Sequence, residues 1–192
     1  SIEIGDMLVG YIATKENNGG INGIAGPGTW TKRFEENNAD NADLALFWKI
    51  AVASDITAGT FTFTMANDKE VAGAVLVYRG VDTTSPSPVV GSATSNGTGT
   101  SATAPSVDAF ANVNTMVIRA VSWEDNENNI TSPGSERIDR AVGGGKGGGV
   151  SLTISDAPKV SNVPTTTGTA TFTNAANQAH VVSTFVFRSP QN

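Results

Sequence analysis

Strict two-residue alternation runs through most of this sequence, and it constrains the fold more than any other feature. Between positions 43 and 52, Leu44, Leu46, Trp48, Ile50 and Val52 fall on one side and Ala45, Phe47, Lys49 and Ala51 on the other. At 60–65, Phe61, Phe63 and Met65 oppose Thr60, Thr62 and Thr64. At 115–123, Met116, Ile118 and Ala120 oppose Val117, Arg119, Val121 and Trp123, and Val150, Leu152 and Ile154 alternate with Ser151, Thr153 and Ser155. Side chains of a strand point alternately to its two faces, so each run builds a half-buried strand. Positions 7–14 are mostly apolar, and 71–79 are almost wholly so, the pattern of a central strand covered on both faces. Shorter or weaker runs at 30–34, 136–142, 167–173 and 180–188 bring the expected total to about nine or ten strands. Loops are expected at 85–105, 124–135 and 143–149.

No amphipathic helix and no fixed-period repeat is found, and no linker divides positions 1–192, which read as one domain. Regular short strands between turn signals predict an all-β fold, a single β-sandwich. The long connections favour jelly-roll-like winding over an up-and-down barrel. Composition agrees: 39% apolar and 16% charged residues describe a globular chain.

The formal charge of −6 and sequence pI of about 4.7 argue against nucleic acid and anionic membrane as partners, because no basic stripe is present to replace phosphate counterions. There is no cysteine, so disulfides and cysteine-ligated metals are excluded. No run approaches the roughly 20 apolar residues of a membrane-spanning helix. Ser1-Ile-Glu-Ile-Gly-Asp6 lacks the basic and apolar regions of a signal peptide, consistent with a processed chain or part of a longer one.

No catalytic residue is expected. His180 is the single histidine and stands in a strand, where packing is the ordinary role, so a Ser-His-Asp arrangement is disfavoured. Carboxylates cluster at Glu35-Glu36, Asp40 and Asp43, and again at 124–127, beside asparagines that also suit plain turns. Calcium is the one cofactor these clusters suggest, since it takes several hard oxygens from a single loop. Glu124, Asp125 and Glu127 are the first candidate ligands, and the 37–43 loop is the second. The glycines flanking Lys146 fail the phosphate-loop pattern, because Lys146 is followed by Gly147 and then by a strand. Lys146 is instead a candidate partner contact at a loop tip. Trp48 shares a face with Leu44 and Ile50 and belongs to the core, whereas Trp30 and Trp123 near strand ends are candidate platforms for a sugar ring or partner.

Several short motifs form a further pattern. They are Gly5-Asp6-Met7-Leu8-Val9, Gly28-Thr29-Trp30, the run 44–51, and Val77-Tyr78-Arg79-Gly80-Val81-Asp82. Thr103-Ala104-Pro105-Ser106-Val107 and Gly168-Thr169-Ala170-Thr171-Phe172 complete it. Together they resemble a β-sandwich domain recurring in bacteriophage virion proteins and in bacterial surface or secreted proteins. The resemblance carries fold signatures and no catalytic residue, with Arg79 placed to pair with an acid. It implies display on a virion or cell surface within a larger assembly. The expectation is a non-enzymatic structural protein, a capsid decoration, tail or fibre component or a surface-filament subunit, that is homo-oligomeric and bound to other virion or surface proteins. The alternative is a carbohydrate-binding or adhesin module that takes a host glycan, with calcium assisting.

Overall fold

The computed structural model describes residues 1–15, 20–39, 41–67, 69–83, 87–109, 114–124, 130–143, 149–159 and 165–189. The first half of the chain forms β1 (Met7–Thr14), β2 (Ile21–Ala25), β3 (Thr31–Asn38), β4 (Ala42–Ile50), a single turn of helix α1 (Ala53–Thr57), β5 (Thr62–Met65) and β6 (Val71–Tyr78). The second half forms β7 (Val89–Ala104), β8 (Asp108–Ala109), β9 (Thr115–Glu124), β10 (Ser135–Gly143), β11 (Gly149–Lys159), β12 (Thr165–Thr166) and β13 (Ala170–Arg188). The all-β expectation holds.

Nine of these strands make two antiparallel sheets, ordered β3-β4-β1-β6 and β10-β11-β9-β13-β7. Alternation decides what lies between them. Met7, Val9, Tyr11 and Ala13 of β1 and Leu44 and Leu46 of β4 point inward. They meet Ile118 and Ala120 of β9, Val150, Leu152 and Ile154 of β11, and Val181, Phe185 and Phe187 of β13. This is the sandwich core, and removing such side chains from water is its main source of stability. The winding differs from that of an interleaved jelly roll. The first half of the chain completes one sheet and the second half completes the other, so each half pairs mostly with itself.

Both outer faces are also covered. Over the first sheet lies the β2–β5 ribbon, whose Ile21, Ile24, Phe63 and Met65 pack with Ile12, Ala45 and Phe47. Two glycines make room for it. A Cβ on Gly10 would lie 2.2 Å from Ile24 Cδ1, and one on Gly73 would lie 2.3 Å from Phe63 Cε2. Over the second sheet, the far ends of β7 and β13 place Ala102, Ala104 and Phe172 against Val121, Trp123 and Val182. Polar anchors hold this layer, with Thr184 Oγ1 donating to Pro105 O at 2.6 Å and Arg119 Nη2 donating to Thr167 O at 3.0 Å.

Several strands depart from the sequence reading: β2 lies where none was expected, β13 joins the runs at 167–173 and 180–188, and two differences bear on the sheet edges. The stretch expected to be a loop at 85–105 contains the sixteen-residue strand β7. Its Gly, Ser, Thr and Asn residues give no hydrophobic period, and it is held in extended form by pairing along β13. Strand β6, read as central, stands at the edge of its sheet.

Candidate functional site

The two long sides of the sandwich are finished differently. On one side, edge strands β3 and β7 are joined by side chains. Arg33 Nε donates to Ser92 Oγ at 2.8 Å, Thr94 Oγ1 to Glu36 Oε2 at 3.1 Å, and Asn96 Nδ2 to Glu36 Oε1 at 2.9 Å. Asn38 Nδ2 donates to the Gly97 carbonyl as well. That side is closed by polar contacts.

On the other side, β6 faces β10 and β11 across an open groove of about 350 Å³. Val75, Leu76, Val77, Met116 and Ile138 supply its apolar lining, and the buried Asp156 carboxylate stands among them. Tyr78 Oη donates to Asp156 Oδ2 at 2.9 Å, and Arg137 Nε donates to Asp156 Oδ1 at 2.8 Å. Burial pushes the Tyr78 hydroxyl far up, and the Asp156 charge adds to the effect, so this phenol stays a donor. Arg79, as expected, pairs with acids, lying 3.4 Å from Asp6 Oδ1 and 3.0 Å from Glu3 Oε1. Both arginines are largely exposed, so this margin of an acidic chain presents two cations beside an apolar strip.

The expected ligand and contact residues are scattered. Trp123 is fully buried, which corrects its reading as a platform: its ring packs against His180 at a centroid distance of 4.7 Å, under the layer that contains Phe172. Trp30 is half-buried, edge-on to Phe61 at 5.6 Å, with Lys49 Nζ 5.8 Å from its ring. Of the calcium candidates, Glu124 is engaged by Lys15 Nζ at 2.9 Å, a cation where a metal ion would need to sit. Asp125, Glu127 and Lys146 lie outside the described residues, as does Asp40 of the second acidic loop. Asp43 of that loop is buried, and its carboxyl is pushed up to about 7, first by burial and then by the neighbouring Glu35 charge. A carboxyl that retains its proton is a poor cation ligand. Among the described residues no cluster of three or more His, Asp or Glu side chains is placed to hold a metal ion.

His180 is buried against Trp123, with its Nε2 3.1 Å from where a Cβ on Gly97 would lie. Burial lowers its pKa, so it is held neutral. Arg137 and Asp156 had no signal in the sequence, and Tyr78 stood out there only within the 77–82 motif. Tyr78 and Asp156 are 78 positions apart and meet only because the two sheets face each other.

No family model matches this chain, and no curated protein or solved structure does either. What the structure bears out of the motif pattern is its all-β sandwich architecture.

Proposed function

We propose that this domain is a non-enzymatic structural component acting through protein–protein assembly, as a virion element (capsid decoration, tail or fibre) or a surface-filament subunit. The observation that carries the reading is a group of large apolar side chains left in solvent at one end of the sandwich. Ile4 is 67% exposed, Val52 45% and Ile56 51%. They are brought to the same end by the backbone bonds Gly5 N to Ala51 O at 3.0 Å and Ala51 N to Asp6 O at 2.7 Å. Exposed apolar residues gathered in one place mark interaction surfaces more often than scattered ones do. The charged side chains described above, by contrast, are engaged in holding the framework.

The test is density-gradient sedimentation of native particles or filaments, followed by immunodetection. Many copies of the chain are expected in the high-mass fractions. Recovery only at the 19.7 kDa of the free chain would overturn the reading.

A further inference from the structure

We infer that β6 is the seam through which two copies of this chain join, edge to edge and antiparallel, so that their four-stranded sheets become one continuous sheet. The inference rests on the assembly reading and names the surface used.

The first support is the contrast among the four sheet edges. An edge strand exposes a row of unpaired N–H and C=O groups, and proteins blunt such edges with charges, prolines, bulges or covering segments. Strand β3 carries Lys32, Arg33, Glu35 and Glu36 and a register break between Lys32 and Phe34. Strand β10 carries Glu136, Arg137, Asp139 and Arg140 and a break between Glu136 and Ile138. Strand β7 is bonded to β3 and breaks register twice along β13. Strand β6 has none of these devices. It reads Val-Ala-Gly-Ala-Val-Leu-Val-Tyr, eight residues without charge or proline, in unbroken register with β1. No strand pairs with its outer side among the described residues.

The second support is the mismatch between its sequence and its place. A continuous apolar run suits a strand covered on both faces. Here it lies at a boundary with Val77 42% exposed, and pairing with another strand would take that margin out of solvent.

A second copy is the occupant that charge favours. Antiparallel pairing about a twofold axis is self-complementary. It lays eight uncharged residues against eight uncharged residues, so no ion loses its water in the seam. An acidic chain of net charge −6 thus meets itself along a strand that carries no charge. The remaining charge is screened beyond about 8 Å at physiological salt.

The experiment combines sedimentation velocity with cross-linking of purified protein. The wild-type chain is expected to dimerise with rising concentration, and Val77→Lys, which puts a charge on the exposed edge, is expected to weaken the dimer at least tenfold. The chain has no cysteine, so single substitutions report contacts cleanly. Under mild oxidation Val75→Cys is expected to give a disulfide-linked dimer and Ile56→Cys none, a readout that stands even if Val77→Lys fails to fold. Cross-linking at position 56 instead of 75, or a dimer unaffected by Val77→Lys, would overturn the β6 seam and leave the assembly reading intact. A purified chain that stays monomeric at every concentration would also overturn the seam. The particle gradient judges the assembly reading separately.

Discussion

Lys49 Nζ lies 2.8 Å from Asp55 Oδ1, and both side chains are almost completely buried. The ammonium also donates to the Pro27 carbonyl, and the second Asp55 oxygen accepts the Val52 N–H at 2.8 Å. The pair therefore ties the 26–28 turn, the end of β4 and the start of α1 together. Removing one partner leaves an uncompensated buried charge, which costs about 3–5 kcal/mol. Lys49→Met or Asp55→Leu alone should lower the urea midpoint strongly, and the double variant should recover much of the loss. Additive losses in that double-mutant cycle would contradict the account.

Two buried groups give opposing pH dependences. Asp43 is raised from 3.8 to about 7, so between those values the native state holds a proton that the unfolded chain releases. Its contribution is fully present below the unfolded value and is lost as pH rises through about 7. Asp43→Asn should flatten that decline and stabilise the protein at alkaline pH, by on the order of 2 kcal/mol after allowing for solvent screening.

His180 acts in the other direction. Burial lowers its pKa below 6.5, so the unfolded chain binds a proton that the native state refuses, and stability is lost as pH falls through this range. His180→Gln should remove that acid-side loss. Urea midpoints measured for both variants from about pH 5 to about pH 8 check the two signs independently.

At Gly73 space is the constraint, since any Cβ there meets the Phe63 ring. Gly73→Ala should cost about 1–3 kcal/mol by displacing the β2–β5 ribbon. Adding Phe63→Leu should restore part of it. Thermal unfolding of the single and double variants reads this directly, and an unchanged Tm for Gly73→Ala would show that the ribbon does not press on β6.

The legible part of this fold is the part written in alternation. Leu152 and Ile154 declare their inward faces because Ser and Thr flank them, whereas Leu44, Leu46 and Ile118 each have an apolar neighbour and rest on the two-residue period alone. Strand β7 was illegible because Ser, Thr, Asn and Gly serve strands and turns alike, and only the partner β13 decides between them. Trp123 misled because a strand end is ordinarily near solvent, whereas here the β7–β13 layer covers it. Strand β6 showed that apolar composition reports what faces a strand and is silent on whether a neighbour lies beside it. The Tyr78–Asp156–Arg137 contact depends on two sheets meeting, which no local pattern encodes.

Trp123 also separates the structural from the adhesive reading. As a core residue, Trp123→Ala should cost about 3–5 kcal/mol in a urea melt. A variant that keeps full stability yet loses binding to a glycan array would favour the adhesin.

Amide hydrogen exchange at low and high protein concentration tests the central claim most directly, because it reads each sheet edge separately. Protection of β6 amides is expected to rise with concentration, while those of β3 and β10 stay constant. Exchange at β6 that is the same at both concentrations would contradict the account.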